Sequence, residues 1–213
     1  MKNTSPTRIL PLALLALVAG CSSLSYDDPG RVETLTIDYG STDLQTLSAE
    51  MVQSLVASPA LNYLDNSGKS EDKRVILYMG DVENRTSEHI DTRGITDKMQ
   101  TSLLKSGKFR FVAAGQGQEE IGEQVRFQQG SGRVRVDMMR EFGKQLGADA
   151  ILYGTLRSID KKKGSSIESG GVRKQDVYYQ FVLSCVNIDT AEILWQDEAE
   201  LRKTERTGIF GRT

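Results

Sequence analysis

The amino-acid sequence predicts an α+β protein. We expect a single domain in which helices pack on a mixed sheet, and the sheet ends in an antiparallel meander of three strands. Up to residue 147, segments with helical spacing of apolar residues alternate with short β-rich segments. After residue 148, three long β-branched and aromatic segments follow one another with no helical segment between them, so each junction can be a hairpin.

Five elements are predicted before residue 130. The first is a helix that begins at Thr42, since apolar residues recur there every three or four positions and Thr42 can form a capping box with Gln45. The continuous apolar run at 74–80 is typical of a central strand that is buried on both faces. The other predicted elements are a helix over 92–105, a strand over 108–114 and a helix over 118–128.

One more helix and the meander are predicted in the second half of the domain. Asp137 is expected to cap a helix that ends at Gly147 and has Phe142 in its apolar stripe. The α+β domain then spans residues 42–200, and the basic residues 201–213 are expected to form a flexible tail. The predicted meander strands are 149–159, 176–188 and 193–201.

Residues 1–20 are predicted to be a lipoprotein signal peptide. Lys2 and Arg8 are basic, an apolar run too short to span a bilayer follows, and small residues precede Cys21. The sequence Val-Ala-Gly-Cys is typical of a bacterial lipobox, where a signal peptidase cuts before a cysteine that is then acylated. An ordinary secretory signal with a cysteine nearby is the alternative. If Cys21 is lipidated, Cys185 is the one thiol left and no intrachain disulfide can form.

Residues 21–41 are predicted to be the lipidated cysteine and a short tether. An extended chain of this length reaches about 70 Å, and a flexible coil averages roughly 25 Å. Several acyl chains on Cys21 are sufficient for stable anchoring. Ser22, directly after the cysteine, is typical of outer-membrane lipoproteins. We therefore expect a domain that is anchored to the outer membrane and faces the periplasm.

No group of residues in the sequence resembles a catalytic, cofactor-binding or metal site. His89 is the single histidine, and Cys185 lies in a predicted strand, where cysteine behaves as a small apolar residue. The carboxylates within 81–91 lack the spacing of a calcium loop. Losing Lys2 and Arg8 reduces the 27 basic residues to 25 against 29 acidic ones, a net charge of −4. We therefore expect that the protein is not an enzyme and that it binds no cofactor, no small-molecule substrate and no nucleic acid.

Two groups of residues are candidates for binding another protein. Asn84 and Arg85 lie in the polar segment that follows the predicted central strand. The alternative for this segment is a turn held by side-chain hydrogen bonds of Asn84 and Thr86. Arg133, Arg135 and Arg140 precede or flank the predicted helix at 137–147. Arginine is common in interfaces because its planar guanidinium forms paired hydrogen bonds.

The tip of the first meander hairpin is a third candidate. It carries five basic residues: Lys161, Lys162, Lys163, Arg173 and Lys174. A cluster of this kind can contact an acidic protein or a cell-wall polymer. The alternative is a charged tip that is simply solvated.

These segments resemble the LpoB-type outer-membrane lipoproteins that activate penicillin-binding proteins. The resemblance covers residues 32–200 and is most specific around "RVILYMGDVENRT" and "SGKFRFV". The stretches "LGADAILYG" and "TAEILW" also occur in related domains. The tether departs from the family pattern, since the best-known activators have a long proline-rich tether and this chain has four prolines in all.

The resemblance implies a fold like the N-terminal domain of TolB and a role without catalysis. The implied partner is a class A penicillin-binding protein, a bifunctional peptidoglycan synthase held in the inner membrane. Activating it would regulate cell-wall synthesis and cell shape. The alternative is an envelope lipoprotein with a structural or assembly role, such as a flagellar or secretion accessory that shares the TolB-like domain.

Overall fold

The computed structural model describes residues 27–33, 35–65, 69, 71–140, 147–164, 171–208 and 211–212. Two units are distinguished, residues 1–31 and residues 32–213. In the described part of the first unit, Arg31 forms an exposed ion pair with Asp27 at 3.2 Å. The predicted signal peptide and Cys21 lie outside the described residues.

The second unit is built on a mixed sheet. Its strand order is β2-β1-β3-β4-β5-β6; β2 and β3 are parallel to β1, and each later strand is antiparallel to the one before it. The predicted α+β class and the three-strand meander are therefore confirmed. The strands are β1 Val75–Arg85, β2 Phe109–Phe111, β3 Ala150–Lys163, β4 Arg173–Asn187, β5 Ile193–Gly208 and β6 Gly211–Arg212.

Two helices, α1 (Ser41–Ala57) and α2 (Thr92–Lys105), pack on one face of the sheet, and the core lies between them and the strands. A third helix, α3 (Gln116–Gly130), lies beside Ile76, whose side chain points to the opposite face. The fully buried core residues include Leu47, Met51 and Leu55 of α1, Ile95, Met99 and Leu103 of α2, and Leu77, Leu152, Phe181 and Cys185 of the sheet.

The strand β1 is longer than the predicted 74–80, because a bulge between Met79 and Val82 lets pairing with β3 continue to Arg85. Gly80 lies in this bulge, where a Cβ atom would lie 2.8 Å from the carbonyl oxygen of Leu152. Beyond the bulge Val82 is buried again. The first part of the predicted polar loop is therefore strand.

The predicted capping of α1 by Thr42 is wrong. The helix begins one residue earlier, and the Asp43 carboxylate accepts a hydrogen bond from the Gly40 amide at 2.8 Å. The predicted helix from Asp137 is also not observed at its start. Val136–Met138 form a single 3-10 turn, and the Asp137 carboxylate accepts from the Arg135 guanidinium at 2.7 Å instead of capping a helix. The rest of that predicted helix includes residues 141–146, which lie outside the described residues.

The strand β5 extends to Gly208, eight residues past the predicted domain end at 200. It stays paired with β4 over this stretch, and Thr204 donates a hydrogen bond to Asp176 at 2.6 Å. The expectation of a flexible tail from residue 201 is therefore wrong as far as Gly208. Charged side chains made this stretch resemble a tail, although their alternation is compatible with a strand.

Candidate interaction surface

One face of the meander is exposed among the described residues. Alternate residues of β4, from Val177 to Cys185, are buried towards α1 and α2, and the residues between them point to the other face. We call the side of β3, β4 and β5 that faces away from α1 and α2 the open sheet face. Large apolar side chains remain exposed there: Tyr153 at 44%, Ile159 at 57% and Ile193 at 58%.

The turn after β1 is held by Asn84. Its side-chain nitrogen donates to the carbonyl oxygens of Glu88 at 2.9 Å and Ile90 at 3.3 Å. Its side-chain oxygen accepts from the amide of Thr86 at 2.9 Å and from the Thr86 hydroxyl at 2.7 Å. All polar atoms of this side chain are thus used within the turn, as the turn alternative expected.

The same turn is joined to the middle of the sheet through Glu88. Its carboxylate accepts hydrogen bonds from the Tyr39 amide at 2.9 Å and from the Tyr179 hydroxyl. The rings of Tyr39 and Tyr179 meet edge to face with centroids 5.6 Å apart. Burial, and then the nearby carboxylates, raise the pKa of both phenols. Sequence reasoning missed this cluster, because its members are far apart in the chain.

Arg85 lies on the open sheet face, opposite Arg157 in the register of β1 and β3. Its side chain is 54% exposed, and its guanidinium lies 2.8 Å from the Glu83 carboxylate. This hydrogen bond raises the pKa of Arg85 and lowers that of Glu83. Because an exposed ion pair of this type is weak, the guanidinium is accessible to a partner.

Arg133, Arg135 and Arg140 lie in the connection after α3, and all three are exposed. Arg135 forms an exposed ion pair with Asp137 at 2.7 Å. The backbone of Arg140 is fastened to the end of α3, since its amide donates to the Gln128 side chain at 2.9 Å. No hydrogen bond or ion pair of the described residues joins this group to Asn84 or Arg85.

The basic hairpin tip is divided between the two faces of the sheet. Lys161, Lys163 and Lys174 point to the open sheet face, and Lys162 and Arg173 to the opposite one. The predicted cluster is therefore not one patch. Alternation along a strand separates residues that are consecutive in sequence.

The structure also places the two residues that were considered for catalysis or metal binding. Cys185 is fully buried, and burial raises the pKa of its thiol to about 12. His89 is exposed in the turn after β1. Within the described ranges, histidine, cysteine and carboxylate side chains form no group that could hold a metal ion. No helix in that part of the chain has the length and apolar character needed to cross a bilayer.

These observations define a class of protein: a small α+β domain in which two helices cover one sheet face and exposed charged side chains lie on the other face and in the loops. A family model described as "Peptidoglycan-synthase activator LpoB" matches residues 43–201, from the first turn of α1 into β5. The chain therefore belongs to the LpoB family of peptidoglycan-synthase activators.

Solved structures of the family are similar to this chain at low sequence identity. The C-terminal domain of LpoB from Salmonella enterica is 14% identical with a TM-score of 0.42, over 75% of this chain and 98% of that one. The same domain from Escherichia coli is 17% identical with a TM-score of 0.41 and the same coverage. The NMR structure of E. coli LpoB covers 95% of this chain and 94% of that one, at 15% identity and a TM-score of 0.37. No curated protein sequence matches the chain.

Proposed function

We propose that this protein is a non-enzymatic outer-membrane lipoprotein that binds and activates a class A penicillin-binding protein. The family match over residues 43–201 is the observation that carries the proposal. The lipobox at Cys21 supports lipid anchoring, and the short tether over 21–41 keeps the domain close to the membrane. Activation of the synthase would then control cell-wall synthesis and cell shape.

The exposed arginines are the residues we propose to contact the synthase. Arg85 is presented by a turn that Asn84 holds in shape. Arg133, Arg135 and Arg140 are presented by the connection after α3. A guanidinium with only an exposed partner keeps donors for a carboxylate on another protein, and arginine is frequent among residues that dominate interface energies.

The proposed mechanism is a shift between two conformations of the synthase. The domain binds the active conformation more tightly than the inactive one and raises its population by that difference in affinity. A coupling free energy of about 1–3 kcal/mol changes the equilibrium by roughly 5–150-fold. No residue of the activator needs to enter the active sites of the synthase.

The proposal is tested with a soluble form that begins at Ser22, a matched class A synthase and its lipid-linked substrate. We expect the soluble form to co-purify with the synthase and to raise the rates of glycan polymerisation and peptide cross-linking. An unrelated domain of similar net charge is the control. If both rates stay flat at saturating concentration and the two proteins do not co-purify, the protein is not an activator of that synthase.

A further inference from the structure

The end of the open sheet face near the β3–β4 hairpin is strongly basic. The register places Lys163 opposite Lys174, and Lys174 in turn opposite Arg206. One row further into the sheet, Lys161 lies opposite Asp176. These side chains share a face because they alternate along their strands and are paired across them.

We call this region the basic groove. Its cations are Lys161, Lys163, Lys174, Arg202 and Arg206. Asp176 and Glu200 are the carboxylates in contact with its side chains, so five cations less two carboxylates leave an excess of three positive charges, whereas the whole chain has a net charge of −2. The positive charge is therefore concentrated locally and is not a property of the whole surface.

Most of this positive charge has no carboxylate in an ion pair with it within the described part of the chain. Asp176 is already bound by Lys174 at 3.1 Å and by the Thr204 hydroxyl at 2.6 Å. The ion pairs of the described residues do not include Lys161, Lys163, Arg202 or Arg206. Like charges held this close together repel one another, and an anionic ligand would relieve that repulsion.

The groove also has an apolar and aromatic lining. Its inner part is a pocket of about 460 Å³ that is lined by Ile159 and Tyr178 together with Lys161, Lys174 and Arg202. The Arg202 guanidinium lies 5.8 Å from the centre of the Tyr178 ring, and the Tyr178 hydroxyl donates a hydrogen bond to Glu200. These two contacts fix the ring in the groove, with Ile159 exposed beside it in the same row.

We propose that the basic groove binds a linear glycan that carries carboxylate groups. Side chains on one face of a strand are spaced about 7 Å apart, and neighbouring strands about 4.8 Å apart, so the cations form a grid that suits repeated anions better than one small anion. The ring of Tyr178 and the side chain of Ile159 can pack against the C–H face of a sugar. A folded acidic protein would neutralise the positive charges, but it would gain less than a sugar ring from packing against a concave aromatic lining.

Glycan binding in the basic groove does not require a synthase, and it goes beyond activation. It would hold the domain on a wall polymer while the arginines in the turn after β1 and after α3 stay free for another protein. The lysines of β3 offer a matched pair of variants. Lys161→Glu changes a groove residue, and Lys162→Glu makes the same charge change one residue away on the opposite face.

The full chain, purified in detergent, is sedimented with purified peptidoglycan sacculi and with sacculi whose carboxylates have been converted to amides. We expect binding to native sacculi that weakens between about 50 mM and about 500 mM salt and is lost on amidated sacculi. Lys161→Glu should weaken binding by roughly tenfold, and Lys162→Glu by less than about twofold. Thermal unfolding of both variants confirms that the fold is retained.

Three outcomes would overturn the proposal. The first is equal affinity of the two lysine variants, and the second is equal binding to native and amidated sacculi. The third is binding to poly-L-glutamate with no binding to sacculi, which would assign the groove to an acidic protein. Since the synthase is absent from this experiment, its result does not depend on whether the protein is an activator.

Discussion

The Tyr179 hydroxyl donates a hydrogen bond to the Glu88 carboxylate, and this contact joins the middle of β4 to the turn after β1. Glu88 accepts a second hydrogen bond from the Tyr39 amide, so the segment that leads into α1 is attached to the same carboxylate. Tyr179 is fully buried, and a buried hydroxyl needs an acceptor. The contact therefore fixes the turn that presents Arg85.

Replacing Tyr179 with phenylalanine should lower the free energy of unfolding by about 1.5–3 kcal/mol, because it removes the hydroxyl donor to the Glu88 carboxylate and leaves only the Tyr39 amide. Urea unfolding followed by circular dichroism measures the change. Tyr178→Phe is the matched control, since its hydroxyl bonds Glu200 on the exposed face. The control should leave the urea midpoint unchanged; a similar loss in both variants would show that the buried hydrogen bond has no special role.

Stability should fall steeply at alkaline pH. Burial raises the pKa of Tyr179 and of Tyr39 above the ordinary value near 10, so the folded state keeps protons that the unfolded state loses. The protonated phenols contribute fully to the free energy of unfolding below about pH 10, and this contribution is lost as the pH rises towards the folded-state pKa. For Tyr179 the free energy of unfolding falls by about 1.4 kcal/mol per pH unit in this range. Urea unfolding between about pH 9 and about pH 11 measures the slope. The double variant Tyr39→Phe, Tyr179→Phe should reduce the slope without abolishing it, because the pKa values of Cys185 and Tyr178 are also raised. An unchanged slope would contradict the assignment to Tyr39 and Tyr179.

Leu103 and Leu104 test the placement of α2. Leu103 is fully buried in the core, whereas its neighbour Leu104 is 48% exposed. Leu103→Ala should cost about 2–5 kcal/mol in the free energy of unfolding, because it removes apolar contacts and leaves a cavity. Leu104→Ala should cost less than about 1 kcal/mol. Thermal and urea unfolding of the two variants measure the free energy of unfolding. An equal decrease in both would mean that α2 is rotated about its axis.

The bounds of α2 could be predicted from the sequence because all its signals are local. Asp91 accepts from the Arg93 amide at the start, apolar residues recur on one side, and Gly107 follows the end with a φ of 69°. The helix predicted from Asp137 had an apolar pattern of similar quality. At its start, however, the Asp137 carboxylate is bound by Arg135, and this competing contact cannot be weighed from the sequence pattern.

The candidate surface was harder to predict than the fold. Arg85 and Lys161 were identified as exposed basic residues, but the face on which each lies depends on strand register, and a shift of one residue reverses it. The bulge in β1 is a shift of this kind, and it places Arg85 on the open sheet face instead of the face covered by α1 and α2. The contact between Tyr179 and Glu88 spans 91 residues of chain, so no local pattern reports it.

Gly154 should not tolerate a side chain. A Cβ atom at this position in β3 would lie 2.3 Å from the carbonyl oxygen of Val182 on the neighbouring strand, which is closer than any non-bonded contact permits. Gly154→Ala should therefore destabilise the domain by about 2 kcal/mol or more, because the backbone of two strands must move. Gly130→Ala is the control, since a Cβ there meets no atom within 4 Å. Unfolding curves that shift equally for both would contradict the close packing of β3 on β4.

Arg133 and Arg85 test the proposed contact with the synthase. Arg133→Glu should leave the melting temperature unchanged, because the side chain is exposed, and should weaken binding to a matched class A synthase by roughly tenfold. Arg126→Glu makes the same charge change on the exposed side of the nearby α3 and should leave the affinity unaltered. Arg85→Glu in the same binding assay tests the turn after β1 separately. A loss with Arg85→Glu alone assigns docking to that turn, and unaltered affinity in both variants places the interface elsewhere on the domain.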